Sequence, residues 1–434
     1  MNLRLLKYLG VAVTISTLIV LFYTSETVAK TRKSKVPDKF PPSPLEITTP
    51  DPLLPKTSKN QPLSSQEKQN LAVALDRLNQ EAAAKLVSGD KQAAFDIWNR
   101  ELRLRRYLGT LPEIQALSRV GEIAWRQNNS LQVRYLTQRL QKIQESIQDS
   151  TKKKKKKENR QLQQQQASLE VLQALANAFV IVRTPKNALA VYDKILERVE
   201  IKNNLQAKIS TLENVAAIHM SWFDYVQAAK VYESLLNLIS VDGTNNLQTN
   251  PSFNRQVYLE ELAYIYNQTK QIQNSIDTRK KLVEIYRQTN NISKIPELRI
   301  AIGSNYESLA KKNTNLLENA FQSYQEAYTI AWQLQQYVRA GEALEKLIPL
   351  YLSQGQTEEA LQTSEILLQT QKRASNFYGV MEAYDEIGKI NLQRQNYPQA
   401  LAAFQQGLDI AKQLQHQQEY FTQQVNNLSG KVSN

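Results

Sequence analysis

The sequence predicts an all-α fold made of consecutive helical hairpins. In the stretch 382–414, the small residues Gly388 and Ala400 stand where two helices must approach closely, and Tyr397 and Phe404 fill the space around that contact. Versions of this unit recur roughly every 40 residues through most of the chain. The repeated part is rich in Ala, Leu, Gln, Glu and Lys and poor in glycine, as a helical chain requires. One hairpin cannot bury its apolar face alone, so the pattern predicts a stacked array.

A short turn separates the two helices of this unit. Asn396 is expected to cap the second helix with its side chain, and Pro398 is tolerated only in a first helical turn. After the last unit, Tyr420, Phe421 and Leu428 keep helical spacing. This segment is predicted to be a capping helix that closes the exposed end of the array.

The other copies carry the same kinds of residue at the same positions, for example Gly303, Ala320 and Tyr324 in the sixth unit. This pattern resembles the tetratricopeptide repeat (TPR) family. The resemblance implies a right-handed α-solenoid of about eight TPR-like hairpins, with ligands bound along a concave face formed by the first helices. Counted by first helices, the repeats begin near residues 75, 114, 169, 209, 256, 296, 341 and 381.

The expected organisation has four parts. They are a signal peptide or membrane anchor at 1–29, a proline-rich basic linker at 30–70, the TPR-like array at 71–416 with a polylysine insert at 149–166 and a loop at 240–254, and a capping helix and tail at 417–434.

The first part has the features of a secretory signal peptide. Arg4 and Lys7 precede an apolar run at 8–23, and small residues at 27–29 stand at cleavage spacing. An uncleaved anchor is the alternative, since the run is nearly long enough to span a bilayer. The basic residues at 30–35 oppose translocation. We expect a membrane-anchored or exported protein, extracytoplasmic or periplasmic, with a cytoplasmic-facing anchor as the other topology.

The segment that follows holds eight of the fourteen prolines of the chain. It shows no apolar periodicity, so it is predicted to be an extended spacer that holds the array away from a membrane.

The net charge of +13 raises the question of nucleic-acid binding. The hexalysine run at 152–157 supplies +6, residues 30–39 supply +4 and residues 1–29 supply +1, which leaves only +2 for the rest of the chain. No basic stripe or groove-reading motif is present, so no nucleic-acid partner is expected.

The lysine run is read in two ways. It is a solvated insertion, or it contacts an anionic lipid surface at about 1 kcal/mol per lysine. The second reading makes the chain a peripheral membrane protein, which is the alternative function. The residues concerned are Lys152, Lys153, Lys154, Lys155, Lys156 and Lys157.

No catalytic constellation is visible in the sequence. The two histidines, His219 and His416, lie far apart, cysteine is absent, and no zinc-protease, phosphate-loop or nucleophile-elbow motif occurs. We therefore expect no enzyme activity, no cofactor and no metal site.

The first helices of repeats 4 to 8 place many carboxylates on the predicted groove. The cationic residues predicted to lie beside them are Lys346 and Lys389. The predicted groove is therefore acidic in its C-terminal half, although ordinary solvated helix surface is the alternative. The candidate binding residues are Glu213, Asn214, Glu260, Glu261, Tyr264, Asn267, Glu297, Glu307, Glu342, Glu345, Glu382, Asp385 and Glu386.

An acidic groove predicts the kind of partner. The chaperone-binding carboxylate clamp, a subtype of the family, needs Lys, Asn and Arg in the groove, so none of its residues is carried over to this chain. Carboxylates suit a basic or extended segment of another protein, held by charge-assisted bonds. The sequence thus predicts a protein-interaction scaffold or adaptor, acting as an assembly or accessory factor.

Overall fold

A computed structural model describes residues 40–55, 62–154, 168–201, 204–241 and 255–432. These residues form two compact units. The first contains the described residues up to 116 together with 129–139, and the second contains 117–128 and the described residues from 140 onward. The predicted signal or anchor segment at 1–29 lies outside the described residues.

The described residues form seventeen α-helices and no strand. They are α1 (Ser65–Val87), α2 (Lys91–Arg105), α3 (Thr110–Arg126), α4 (Ser130–Lys154), α5 (Leu169–Ile181), α6 (Pro185–Ile201), α7 (Leu205–Ser221), α8 (Tyr225–Val241), α9 (Arg255–Gln268), α10 (Ile272–Gln288), α11 (Ile295–Ala310), α12 (Leu317–Gln333), α13 (Tyr337–Ser353), α14 (Thr357–Arg373), α15 (Phe377–Gln393), α16 (Tyr397–Leu414) and α17 (Gln418–Val432).

The helices are organised as the repeats predict. In the first unit α1 pairs with α2, and in the second unit the pairs run from α5–α6 to α15–α16, each packed against the next. Helices α3 and α4 contribute residues to both units. Helix α17 packs on α16 after the last pair. The fold of the described residues is thus all-α, as the sequence predicted, with seven packed helix pairs, α1–α2 and α5–α6 to α15–α16, followed by a capping helix.

The predicted close approach of paired helices is present at Gly388. A Cβ atom at this position would stand 2.7 Å from Cε1 of Phe404, whose ring is fully buried. The pair α11–α12 repeats the arrangement, since a Cβ at Gly303 would stand 2.5 Å from Cε1 of Tyr324. In both pairs, an aromatic ring of the second helix therefore lies directly on the backbone of the first helix.

The turns inside five of the pairs share one backbone conformation. One residue of each turn adopts the left-handed region, with φ between 56° and 73°. The amide three positions after the last helical residue then donates to a carbonyl of the last helical turn, which is the Schellman arrangement. The left-handed residues are Arg183, Phe223, Lys270, Gly355 and Gln395, and the donating amides are those of Thr184, Asp224, Gln271, Gln356 and Asn396, at 2.8–2.9 Å.

The prediction of an extended spacer is wrong for residues 40–55, here called the N-terminal strap. The strap packs on the first unit through Leu45, which is fully buried. Asp51 accepts two hydrogen bonds from Arg100, at 2.8 and 2.9 Å, and these bonds hold the pKa of the Asp51 carboxyl below its usual value. Arg103 donates to the carbonyl of Pro44 at 3.0 Å. Proline-rich composition suggested a free chain, but arginines of α2 satisfy the carbonyls and the carboxylate of the strap.

Three further expectations need correction. Asn396 occupies the N-cap position of α16, but its side chain makes no capping hydrogen bond. Helix α1 begins at Ser65, within the predicted linker, because Ser64 and Glu67 form a reciprocal capping box. The predicted insert and loop begin inside helices, since α4 continues through Lys154 and α8 through Val241. The rest of both segments lies outside the described residues.

Within the described ranges, every helix is too short or too polar to cross a membrane.

The Gly388–Phe404 contact yields a stability prediction. Gly388→Ala places a methyl group against a buried ring and should destabilise the protein by about 1–3 kcal/mol, as overpacking in a core does. The measurement is urea unfolding followed by circular dichroism. Gly430→Ala is the matched control, because a Cβ there meets no atom within 4 Å and should stabilise α17 by up to about 1 kcal/mol. Equal effects of the same sign would contradict this packing.

Candidate functional site

The stacking of the pairs brings consecutive first helices of the second unit into contact. The hydroxyl of Tyr258 on α9 donates to Glu213 on α7 at 2.6 Å. Arg339 on α13 donates to Glu297 on α11 at 3.3 Å. Glu345 on α13 and Glu382 on α15 are close enough to repel each other electrostatically. These interactions link α7 to α9, and α11 to α13 and α15, while a cavity described below lies between α9, α10 and α11; we call the first helices from α7 to α15 the row.

Ten carboxylates predicted for the groove lie along this row, and we call them the acidic seam. The seam is formed by Glu213, Glu260, Glu261, Glu297, Glu307, Glu342, Glu345, Glu382, Asp385 and Glu386.

Tyrosine hydroxyls hold several seam carboxylates in place. Besides Tyr258, Tyr286 donates to Glu260 and Tyr324 donates to Glu307 at 3.0 Å. At the last repeat, Tyr420 of the capping helix donates to Asp385 at 2.7 Å. Burial, followed by these hydrogen bonds, raises the pKa of Tyr258, Tyr286 and Tyr420, so each hydroxyl keeps its proton at neutral pH. Each of these tyrosines comes from a later helix than its carboxylate: Tyr286 and Tyr324 from the next helix, and Tyr258 and Tyr420 from the helix after that.

Among the described residues, only three of the ten seam carboxylates have a Lys or Arg nitrogen within 4.0 Å. Arg339 pairs with Glu297 at 3.3 Å and with Glu342 at 2.7 Å, and Lys389 pairs with Asp385 at 2.5 Å. Across the described residues, no Lys or Arg nitrogen lies within 4.0 Å of the other seven, which are Glu213, Glu260, Glu261, Glu307, Glu345, Glu382 and Glu386.

Three of these seven carboxyls have a raised pKa, because their surroundings disfavour the ionised form. Burial is the main cause that raises the pKa of the Glu261 carboxyl, and Glu260 adds to it. Burial, then Glu382, raises the pKa of Glu345. Burial also raises the pKa of Glu386, while the ammonium of Lys389 opposes the shift. A bound cation would relieve this cost, because opposite charge favours the ionised carboxylate.

The other predicted site residues have different roles. The amide of Asn214 donates to the carbonyl of Ser210 on its own helix at 2.8 Å. Tyr264 is 46 % exposed and its hydroxyl meets that of Tyr225 at 3.3 Å. Asn267 is exposed and lines the cavity described next. Lys152, Lys153 and Lys154 end α4, and Lys155, Lys156 and Lys157 lie outside the described residues.

A cavity of about 340 Å³ opens beside the seam between α9, α10 and α11. It contains four of the residues predicted from the sequence, Glu260, Tyr264, Asn267 and Glu297, together with two cationic residues, Arg279 and Lys294. The remaining lining is apolar or aromatic: Ala263, Leu282, Tyr286, Leu298 and Ala301.

The sequence missed three cationic residues of this region. Arg339 lies in the first turn of α13, before residue 341, where the sequence placed the start of that repeat. Counting the repeat from the true start of the helix would have identified Arg339 as a first-helix residue. Arg279 belongs to a second helix and Lys294 to the turn before α11, and no periodic signal points to either.

No group of three or more histidine, aspartate or glutamate side chains in the described ranges could hold a metal ion. His219 is half-buried and its Nδ1 lies 3.1 Å from Oδ2 of Asp224, across the turn after α7. His416 is exposed beside the ring of Tyr378.

No protein-family model matches the chain, and no curated protein matches it significantly. Several solved structures are similar to it. BtubC (BKLC) from P. vanneervenii is 14 % identical and has a TM-score of 0.36, and the match covers 57 % of this chain and 93 % of that one.

Two other solved structures have similarly low sequence identities and TM-scores. A signal transduction ATPase with a tetratricopeptide repeat sensor from Pyrococcus horikoshii is 13 % identical, with 77 % of this chain and 51 % of that one covered and a TM-score of 0.37. NprR in complex with its cognate peptide NprX is 14 % identical and has a TM-score of 0.28, and the match covers 73 % of this chain and 82 % of that one. At such low scores these matches carry no functional conclusion. The packing of small and aromatic residues within the chain itself shows that its described part is an array of helical hairpins, the fold that the sequence predicted.

The raised pKa of Glu261 yields a pH prediction. An acid whose pKa is raised on folding destabilises the native state once pH rises above its unfolded pKa, and the cost is complete above the folded pKa. Glu261→Gln removes the charge and should raise Tm at pH 7, while at pH 4 the two proteins should melt almost together. The check is thermal unfolding at both pH values.

Glu365→Gln, at an exposed position of α14, is the control and should change Tm little at either pH. A Glu261→Gln protein that melts below the wild type at pH 7 would contradict the electrostatic cost.

Proposed function

We propose that this protein is a non-catalytic interaction scaffold that binds a cationic, extended segment of a partner protein along the acidic seam. The observation that carries the proposal is the set of seven seam carboxylates with no Lys or Arg within 4.0 Å in the described part of the chain. They occur on consecutive first helices, so a single extended segment can meet several of them.

The charge of the seam favours a basic partner for a physical reason. Glu213, Glu261, Glu307 and Glu386 are half-buried, so part of their hydration has already been lost. A lysine or arginine of the partner then forms charge-assisted hydrogen bonds at sites where little further desolvation of the acid is needed. Complementary charge also speeds association and excludes acidic competitors.

The tyrosines of the seam add rigidity to this face. Tyr258, Tyr286, Tyr324 and Tyr420 fix four carboxylates by hydrogen bonds, which reduces the conformational entropy lost on binding. The exposed ring of Tyr264, which lines the cavity together with Glu260 and Glu297, supplies an apolar surface. A fixed array with an aromatic contact suits peptide recognition better than a flexible acidic surface does.

The location and the adaptor role belong to the same proposal. The apolar segment near the N-terminus supports a membrane-anchored or exported scaffold, with the repeats on the extracytoplasmic side. Lipid binding by the hexalysine run stays a prediction from the sequence.

Photo-crosslinking in cells tests the proposal. A benzoylphenylalanine at Tyr264 or Glu382, both exposed on first helices, should yield a covalent adduct with a protein partner, identified by mass spectrometry. The same residue at Gln322 or Glu365, exposed on second helices, is the control and should yield none. Adducts at the second-helix positions alone, or at no position, would contradict a first-helix binding face.

A further inference from the structure

The cavity between α9, α10 and α11 differs in charge from the rest of the seam. Its lining combines two acids, Glu260 and Glu297, with two cations, Arg279 and Lys294. Elsewhere along the described part of the row, Arg339 and Lys389 are already paired with seam acids. The cavity instead presents two cations that form no ion pair with a described carboxylate.

The acids of the cavity already have donors. Glu260 accepts hydrogen bonds from Tyr286 and, at 2.9 Å, from the amide of Gln256. Glu297 accepts one from Arg339 at 3.3 Å. Both carboxylates thus have partners within the protein.

Neither cation of the cavity forms an ion pair with an acid in the described part of the chain. Arg279 is half-buried and donates to the hydroxyl of Ser275 on its own helix, and no carboxylate in the described ranges lies within 4.0 Å of its guanidinium. Burial lowers the pKa of Arg279. Lys294 is exposed at the edge and likewise has no carboxylate within 4.0 Å among the described residues. A half-buried guanidinium without a counter-ion is costly unless a ligand supplies one.

We propose that this cavity binds a carboxylate of the partner segment, held by Arg279 and Lys294. Residues flanking that carboxylate are cationic and reach the seam acids on either side. The inference rests on the proposed function and narrows it: the partner segment is basic, with one acidic group at its centre or at its chain end. The volume of about 340 Å³ fits one side chain with its backbone.

A carboxylate fits better than a phosphate group for two reasons. The planar guanidinium matches the two oxygens of a carboxylate in a bidentate geometry. Phosphate matches it as well, but it carries up to two negative charges, and repulsion from Glu260 and Glu297 grows with that charge. Neighbouring lysines or arginines of the partner offset the repulsion for a singly charged group.

Fluorescence anisotropy with defined peptides tests this inference on the full-length protein. Three fluorescein-labelled heptapeptides share the form Lys-Ala-Ala-Xaa-Ala-Ala-Lys. The first has Glu at the centre and an amidated end, the second has Gln and an amidated end, and the third has Gln and a free terminal carboxylate. The Glu probe or the free-carboxylate probe should bind about fivefold to tenfold tighter than the amidated Gln probe. Which of the two binds tighter identifies the source of the carboxylate.

Arg279→Gln should bring the three affinities within twofold of one another, and Lys294→Gln should reduce the preference in part. Arg287→Gln, on the same helix, is the control, since Arg287 pairs with Glu284 and lies outside the cavity lining; it should keep the preference. Thermal melts of each variant establish that it folds, and Lys294→Gln, at an exposed position, tests the site without disturbing packing.

Equal binding of all three probes to the wild type would overturn the carboxylate site and leave the basic-segment proposal standing. A carboxylate preference that survives in Arg279→Gln would also overturn it. Failure of every probe to bind would count against the proposed function itself.

Discussion

The contact between a small residue of one helix and an aromatic ring of the next is the constraint on which the rest of the structure depends. A side chain at Gly388 or Gly303 would overlap the ring of Phe404 or Tyr324, so the neighbouring atoms would have to shift. In these two pairs the close approach sets the geometry of the helices. Each pair then buries its remaining apolar surface on its neighbours, so the first helices come to lie side by side.

Aligning the first helices has an electrostatic consequence. Carboxylates that are far apart in sequence, such as Glu345 and Glu382, become neighbours, and burial together with the charge of Glu382 raises the pKa of Glu345. Tyrosine donors and Arg339 hold part of this charge, and the rest stays without a protein cation in the described ranges. The face is thus built by packing but carries an unbalanced charge that packing does not require. That imbalance is the basis of the functional proposal.

The sequence predicted the features that repeat and missed those that occur once. Small and aromatic residues at the positions of Gly388, Ala400 and Phe404 recur with a fixed spacing. This repetition predicted the all-α fold, the helix pairs and the first-helix positions of the seam carboxylates. The strap at 40–55 looked like a spacer, because its anchors, Arg100 and Arg103, are remote in sequence and specific to this chain. The uncompensated guanidinium of Arg279 was invisible for a related reason: its lack of an acidic partner depends on which side chains the fold brings close.

The central claim is that seam carboxylates, rather than acidity in general, bind a cationic partner segment. The most direct test is anisotropy with an amidated, fluorescein-labelled peptide of alternating lysine and glycine. Reversing Glu261, Glu345 and Glu382 to lysine should weaken binding at least about tenfold, because several close charge pairs are lost. Reversing Glu318, Glu359 and Glu365, which are exposed on second helices, changes the net charge equally and should weaken it less than about twofold, since exposed charges farther than a Debye length are screened. Equal weakening by the two triple variants would contradict the account.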